Sequence, residues 1–323
     1  MWTITCPSWR AGPDVTGTLL VGDLGGTNCR FGLVAPGSDR IDDMRSLPNG
    51  SAADFIALAR GYLDGRKVDR LTLAIAAPAE GERIVLTNRD WVIDRAEIVA
   101  ALGLSDLRIV NDFEALGHAL ARPEALDSVA VKPGTPAPQG TRIILGAGTG
   151  FNCSARLANG SVVVCEAGHT TFAPLTELDQ RLQAAMTAKY TRCSVERLLS
   201  GSGLREIHAL ITGARADQID GERVIAQGLA DSDIAARATC ETFARLLGQL
   251  AGDLALLFQA TGGVWLSGGP TRALRPLLEP ADGPFQRAFA AKGRMRPVMN
   301  RLPVHLVTSD QAAIAGCLSL SNS

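Results

Sequence analysis

The sequence predicts an α/β protein with two related lobes, and three observations support this prediction. Segments typical of buried strands alternate with segments of helical periodicity along most of the chain. A glycine-rich turn between two strands occurs near the N-terminus and again near the middle, 146 − 22 = 124 positions later. The length of 323 residues is sufficient for two domains. We therefore expect a duplicated α/β fold.

The first unit begins with a strand, a turn and a second strand. Residues 19–21 are typical of a short buried strand, the turn follows at 22–27, and a strand resumes over 30–34. This order predicts a hairpin rather than a strand-to-helix crossover. The other elements predicted for this unit are a helix over 52–63, strands over 71–76 and 107–110, and a helix over 113–121.

The second unit begins with a strand at residues 143–145 and matches the first without a gap. Gly22 pairs with Gly146, Gly26 with Gly150, Asn28 with Asn152, Cys29 with Cys153 and Leu33 with Leu157. This agreement indicates an internal duplication. The helices predicted beyond the repeat cover 178–188, 195–199, 203–211 and 233–258, with strands over 161–164, 264–266 and 304–307. Asp310 is placed to cap a last helix over 311–318.

Composition and charge exclude several classes of function. Lys plus Arg number 32 and Asp plus Glu number 33, so a net charge of −1 gives no bulk attraction to nucleic acid or to an anionic membrane. Apolar runs end within about ten residues, short of the ~20 that a membrane helix needs, and no signal-peptide stretch is present. The seven cysteines are odd in number and include no Cys-x-x-Cys pair, which favours free thiols. We expect a cytoplasmic protein.

The two glycine-rich turns are candidate phosphate sites, because glycine lets backbone N–H groups approach a phosphate closely. The absence of Gly-x-x-x-x-Gly-Lys-Ser/Thr excludes a P-loop protein, and no Gly-x-Gly-x-x-Gly opens a helix, which disfavours a dinucleotide fold. Two such hairpins can hold a triphosphate from both sides. Asp23 of the first turn corresponds to Ala147 of the second, and one carboxylate there suits a magnesium ion bound through water. The alternative is a plain tight hairpin.

Five polar side chains are candidates for binding and activating a substrate hydroxyl. Asn111 and Asp112 follow a buried strand, where parallel sheets bind ligands, although both residue types are also favoured helix N-caps. Glu166 and His169 can hydrogen-bond a polyhydroxyl ligand or serve a structural role. Glu196 lies in the first turn of a predicted helix, where the helix dipole alone favours a glutamate.

Glycine pairs at 262–263 and 268–269 flank a strand and either admit a flat adenine ring or form turns.

Together these segments resemble the bacterial glucokinase family, the branch of the hexokinase and actin-like ATPase superfamily that lacks a zinc-binding cysteine cluster. The resemblance runs from about residue 19 to the C-terminus and rests on seven motifs in the family's order. These motifs are residues 21–28 with Arg30, 86–88 with Trp91, 109–113, 146–150, 166–174, 194–201 and 262–269.

The resemblance implies an actin-like (ribonuclease H-like) fold whose lobes, residues 1–112 with 303–323 and residues 113–302, have a cleft between them. It implies a glucokinase that transfers a phosphoryl group from Mg-ATP to the 6-hydroxyl of glucose in glycolysis, usually as a homodimer. Asp112 is the implied general base, with Asn111, Asp112, Glu166, His169, Glu196, Thr87 and Asn88 on the sugar. The implied ATP contacts are Gly22, Asp23, Leu24, Gly25, Gly26, Thr27, Gly146, Gly148, Thr149, Gly150, Gly268 and Gly269, with magnesium near Asp23 through water.

The sequence departs from the family beside the residues that are predicted to bind the sugar, and it leaves rival functions open. Cys165 and Ala167 stand where the family usually has glycines, and Phe151 and Asn152 replace an aliphatic residue and a glycine. Bulkier side chains here can shift the sugar preference, so a kinase of another hexose or of an N-acetylhexosamine is the nearest rival. A sugar-sensing regulator needs a DNA-binding module before the first strand. An actin-like ATPase without a small substrate predicts ATP turnover that is independent of sugar.

Overall fold

The computed structural model describes residues 17–86 and 90–322, and the chain forms two compact units. The first unit contains the chain up to Arg122 and from Gln311 onward, and the second extends from Pro123 to Asp310. The sequence predicts boundaries after residues 112 and 302, whereas the structure places them after residues 122 and 310. The reason is packing: the helix that begins at residue 112 lies against the last helix of the chain, and the strand at 304 pairs within the second sheet.

The strands of the described chain form two large sheets and one small one. They are β1 (Leu19–Leu24), β2 (Asn28–Val34), β3 (Asp42–Pro48), β4 (Arg70–Ile75), β5 (Arg83–Val85), β6 (Val92–Asp94), β7 (Asp106–Asn111), β8 (Ser128–Lys132), β9 (Arg142–Ala147), β10 (Phe151–Arg156), β11 (Val162–Cys165), β12 (Gly263–Ser267) and β13 (Val304–Val307).

The α-helices cover the faces of these sheets. They are α1 (Phe55–Leu63), α2 (Arg95–Leu102), α3 (Asp112–Ala119), α4 (Glu177–Tyr190), α5 (Gly201–Thr212), α6 (Gly221–Leu229), α7 (Ile234–Leu257), α8 (Gly269–Ala273), α9 (Arg275–Leu278), α10 (Pro284–Ala290), α11 (Arg296–Arg301) and α12 (Ala312–Ser321).

The first unit is built around a five-stranded sheet of order β3-β2-β1-β4-β7. β1 pairs antiparallel with β2 across the glycine-rich turn and parallel with β4, and β4 is parallel to β7. The central strands are apolar on both faces because both faces are covered. One apolar cluster includes Phe31, Phe55 and Tyr62, and another joins β1 and β4 to α3 and α12 through Ala115 and Ile314.

The second unit repeats this topology with the strand order β11-β10-β9-β12-β13-β8. β9 pairs antiparallel with β10 across the second turn and parallel with β12, and β12 is parallel to β13. These four strands correspond in order and direction to β1, β2, β4 and β7. The correspondence confirms the duplicated α/β fold that the sequence predicts.

Two element predictions are corrected by the structure. Residues 195–199 contain a single 3-10 turn over Val195–Arg197 in place of the predicted α-helix. The last helix begins at Ala312 with Gln311 as its N-cap, so Asp310 is not the cap. The carboxylate of Asp310 instead accepts a hydrogen bond from Arg272. The sequence prediction also omits several elements, among them α6, in which only Val224 and Gly228 are buried; the others are β3, β5, β6, β8, α2 and α8 to α11.

Within residues 17–86 and 90–322, no helix has the length and apolar character needed to cross a membrane. The cysteines of the same residues are free thiols, and Cys165 is the one that is not fully buried.

Candidate active site

The first glycine-rich turn connects β1 to β2 and presents two backbone donors. The Gly25 N–H donates to the Asn28 carbonyl at 3.0 Å, which closes the turn. The exposed N–H groups of Gly26 and Thr27 donate to no acceptor among the residues that the structure describes. Successive free N–H groups in a turn attract anions. Gly22 and Leu24 are among the predicted ATP contacts. Both lie in β1 and are buried, so they support the turn from the strand that precedes it.

Asp23 is buried in β1, directly opposite Arg30 in β2. Its carboxylate accepts a hydrogen bond from Arg30 Nη1 at 3.1 Å, which fixes its position beside the turn. Oxygen donors of this kind hold magnesium through its water shell. The chemistry of this one carboxylate therefore fits the predicted magnesium, and the described residues contain no cluster of three or more His, Cys, Asp and Glu side chains that could hold a metal ion.

The carboxyl ends of three parallel strands bring the turn and the Asn111–Asp112 pair to one edge of the first sheet. Asp23 is in register with Ala74 of β4, which is in register with Val110 of β7. Because neighbouring strands lie about 5 Å apart, the ends of β1 and β7 are separated by about 10 Å. This edge thus brings backbone N–H groups without an acceptor and the Asp112 carboxylate to the same end of the sheet.

Asn111 is the N-cap of α3, and Asp112 is the first residue of that helix. Asn111 Oδ1 accepts a hydrogen bond from the Phe113 N–H at 2.9 Å, and its Nδ2 donates to the Ala77 carbonyl at 3.2 Å. The capping role of Asn111 is therefore confirmed, and its amide keeps a second N–H for a ligand. Burial raises the pKa of Glu114 above its ordinary value, against an opposing hydrogen bond from the Asn111 N–H. Thr87 and Asn88 lie outside the described residues.

The second glycine-rich turn also leaves two successive N–H groups without an acceptor, one position earlier in the repeat than in the first turn. The Gly148 N–H donates to the Gly150 carbonyl at 2.8 Å, and the Gly148 carbonyl accepts from the Gly201 N–H at 2.8 Å at the start of α5. The N–H groups of Thr149 and Gly150 have no acceptor among the described residues. Both copies of the repeat therefore expose two successive N–H groups, while Gly146 lies within β9.

Glu196 is bound to this second turn. Its Oε2 accepts a hydrogen bond from the Phe151 N–H at 3.0 Å. A side chain at Gly150 would place a Cβ 2.5 Å from the same oxygen, so the glycine lets the Glu196 carboxylate take this position without shifting. Glu196 is predicted to bind the sugar. Its Oε2 thus supports the turn, and its Oε1 remains for a ligand.

Glu166 and His169 lie together at the end of β11, and both side chains are well exposed. Glu166 Oε2 is 3.9 Å from His169 Nε2 and accepts a hydrogen bond from Asn152 Nδ2 at 3.3 Å. Asn152 Oδ1 accepts from the Ala167 N–H at 3.2 Å. Asn152 therefore contacts both the Glu166 carboxylate and the backbone N–H of the next residue. No motif in the sequence indicates this role for Asn152.

Gly268 and Gly269 lie at the carboxyl end of β12, next to the second turn. Gly268 has a φ of +103°, a conformation that favours glycine, and begins α8 as its N-cap. A Cβ on Gly148 or on Gly269 would meet no protein atom within 4 Å, so the backbone at both glycines is open to a ligand. A cavity of about 870 Å³ adjoins them, lined by Thr149 and Gly269 and by residues of α5, α6 and α8. Its size suits a nucleoside. Apart from Gly201, the residues of α5 and α6 that line it lie outside the sequence motifs.

Two sheets of one topology, each with an open glycine-rich turn, are typical of the actin-like ATPase fold, which includes sugar kinases. A family model described as Glucokinase matches residues 20–322. A glucokinase of Chromobacterium violaceum is 37% identical over 307 residues, which are 92% of this chain and 87% of that protein. The chain belongs to the glucokinase family.

Solved structures agree with this assignment. A glucokinase from an Antarctic psychrotroph is 30% identical with a TM-score of 0.82, and the match covers 95% of this chain and 99% of that one. A ROK family glucokinase from Streptomyces griseus, in complex with glucose and AMPPNP, is 20% identical with a TM-score of 0.64 and covers 95% of this chain and 99% of that one. The second match shows a shared fold.

Proposed function

We propose that this protein phosphorylates glucose at the 6-hydroxyl with Mg-ATP as the donor and releases ADP. Membership of the glucokinase family supports the reaction. The observation that carries the roles of the residues is the shared sheet edge, which has the free N–H groups of Gly26 and Thr27 at one strand end and Asp112 beyond another. The complex of the related ROK glucokinase with glucose and AMPPNP supports ATP as the donor.

The proposed mechanism divides the work between backbone and side chains. The free N–H groups of both turns bind phosphate oxygens, and the cavity beside Gly269 holds the adenosine. Asn111, Asp112, Glu166, His169 and Glu196 bind the sugar hydroxyls, with Thr87 and Asn88 as predicted partners. An epimer of the sugar leaves polar groups of this set unpaired, which discriminates against it.

Asp112 is the general base in this proposal. As the bond forms between the sugar O6 and the γ-phosphorus, the bond from that phosphorus to the ADP oxygen breaks, and the hydroxyl proton moves to the Asp112 carboxylate. Asp23 would hold magnesium through water, and the ion supplies charge neutralisation for the phosphates.

The proposal predicts ADP release that depends on sugar and on Asp112. In a coupled assay over a panel of hexoses and N-acetylhexosamines, glucose should give the highest kcat/KM. Asp112→Asn should lower kcat by roughly 10²–10⁴, because it removes the base while keeping the size of the side chain. A decrease below about tenfold would contradict the base assignment.

The matched control for this variant is Asp106→Asn at the other end of β7. Asp106 forms an ion pair with Arg108 and lies at the end of β7 that is opposite to Asp112. The kcat of this variant should therefore equal that of the wild type. ADP release without any sugar dependence would overturn the kinase proposal in favour of an ATPase. A preference for an N-acetylhexosamine would replace glucose as the substrate and leave the kinase proposal intact.

We also propose that the protein acts in the cytoplasm, at the first step of glycolysis, and as a homodimer. The free thiols of the described cysteines suit a reducing compartment. The dimer is what the resemblance to the family implies, and it is measured directly by light scattering.

A further inference from the structure

Asn49 lies directly against the first glycine-rich turn but outside its sequence motif. It follows β3, is completely buried and begins a 3-10 turn over Asn49–Ser51. We infer that Asn49 is a positioning residue that aims the N–H groups of this turn at the phosphates of the nucleotide. The inference rests on the proposed function, because it takes the phosphates of ATP as the ligand of the turn.

Asn49 binds three successive carbonyl groups of the turn. Its side-chain Nδ2 donates to the carbonyl of Gly25 at 2.8 Å and to that of Gly26 at 3.2 Å. Its backbone N–H donates to the carbonyl of Thr27 at 2.8 Å. One residue from outside the hairpin therefore holds one side of the turn's backbone.

The planarity of the peptide bond converts these contacts into a direction for the donors. A trans peptide unit points its C=O and its N–H in opposite directions, and the described residues contain no cis peptide bond. Because the Gly25 carbonyl points toward Asn49, the Gly26 N–H points away from it. The Gly26 carbonyl and the Thr27 N–H are related in the same way. These two N–H groups are the ones without an acceptor in the described structure.

The side-chain amide of Asn49 is fixed in one orientation by the turn. Its Oδ1 is buried and has no hydrogen-bond partner in the described structure, which is unfavourable. Rotating the amide would bring this oxygen against the carbonyls of Gly25 and Gly26, which is worse because oxygen would face oxygen. The donors of Asn49 thus determine its orientation. In the second turn a backbone donor, the Gly201 N–H, binds the Gly148 carbonyl instead.

The test measures nucleotide binding separately from sugar binding. Asn49→Ala removes the Nδ2 donor, and Asn49→Asp keeps the size of the side chain but replaces the donor with an acceptor. For both variants we expect the KM for ATP to rise about 10-fold to 100-fold, since each tenfold change corresponds to 1.4 kcal/mol. The KM for glucose at saturating ATP should stay within about twofold of the wild-type value.

Tyr62→Phe is the matched control, because Tyr62 also donates from a buried side chain to a backbone carbonyl of this unit. Its hydroxyl donates to the Asp43 carbonyl at 2.8 Å and does not contact the turn. We expect the control to lose stability while keeping the wild-type KM for ATP. If the Asn49 variants have the same KM for ATP as Tyr62→Phe, the role of Asn49 is only structural and the inference is overturned.

A measurement on the unaltered protein covers the case in which the Asn49 variants do not fold. Titration of ¹⁵N-labelled wild-type protein with MgADP should shift the amide signals of Gly26 and Thr27 strongly, and that of the distant Gly37 little. Unchanged signals of Gly26 and Thr27 would refute the inference. If these signals shift but no sugar supports turnover, the proposed function fails while the phosphate-binding role of the turn stands.

Discussion

At the scale of single residues, Asn152 contacts both Glu166 of the predicted sugar site and the residue after it. Its Nδ2 donates to Glu166, and its Oδ1 accepts from the Ala167 N–H that follows Glu166 in the chain. The family usually has a glycine here, which makes no such contacts. A position that looks like a simple obstruction in the sequence is therefore a support for the Glu166 carboxylate.

Asn152→Gly should raise the KM for glucose about 3-fold to 10-fold and leave the KM for ATP unchanged. The expected size corresponds to one lost hydrogen bond to a charged group, roughly 1 kcal/mol at an exposed position. Steady-state kinetics with each substrate varied in turn measures both constants. A lower KM for glucose in the variant would mean that the Asn152 side chain obstructs the sugar.

At the scale of elements, the segment that follows His169 is anchored to α7 by buried polar contacts. Asp179, near the start of α4, is fully buried and accepts hydrogen bonds from the N–H groups of Leu175 and Thr176 and from the guanidinium of Arg245. Gln249, one turn further along α7, donates to the Ala173 carbonyl at 2.8 Å. These contacts hold the chain beyond the Glu166–His169 pair in place.

The pKa of Asp179 predicts how this anchor depends on pH. Burial raises the pKa, but the hydrogen bonds from Arg245 and from the Leu175 N–H outweigh burial, so the pKa lies below its ordinary value of 3.8. The stabilisation is therefore complete above pH 3.8 and is lost as the pH falls through the lower, folded-state value.

Asp179→Asn should lower the free energy of unfolding at pH 7 by about 2 kcal/mol, because Arg245 loses its counter-charge in a partly buried pair. The difference from the wild type should shrink below about pH 4. Urea unfolding at several pH values measures it. The control is Asp217→Asn, in an exposed pair with Arg215, which should unfold as the wild type does. An equal loss at every pH would show that charge is not involved.

At the scale of the whole molecule, the chain leaves the first unit after Arg122 and returns to it with α12. The returning helix packs on α3 so closely that a Cβ on Gly316 would lie 1.7 Å from the Ala115 carbonyl oxygen. Cys317 of the same helix donates to the Gly22 carbonyl at 3.5 Å. The last helix thus supports both the strand before the first turn and the helix that begins with Asp112.

Gly316→Ala should force α12 away from α3, lower the free energy of unfolding by roughly 1–3 kcal/mol and reduce kcat. Thermal unfolding and steady-state kinetics measure the two effects. The control is Gly61→Ala in α1, where a Cβ meets no atom within 4 Å. That change should stabilise the protein by about 0.5–1 kcal/mol, as for alanine in an open helix position. Equal stability of the two variants would contradict the close packing of α12.

The sequence by itself determined the α/β class, the duplication, the two turns and the strand end that carries Asp112. These features depend on local patterns, namely apolar runs, glycine in turns and a repeated order of elements, and local patterns are written in consecutive residues. The sequence left capping open as an alternative role for Asn111 and Asp112, and the structure shows that Asn111 is the N-cap. Two of its predictions, the helix at 195–199 and the cap at Asp310, were wrong, because they rested on a short periodic segment and on one residue type.

Only the tertiary structure decided which residues support the turns. Asn49 contacts Gly25 and Gly26 across more than 20 positions of sequence, and Glu196 contacts Phe151 across 45. The cavity beside Gly269 is likewise lined by residues of α5 and α6 that, apart from Gly201, belong to no sequence motif. The physical reason is that a hydrogen bond between distant segments depends on how sheets and helices pack. A pattern of neighbouring residues does not encode that packing.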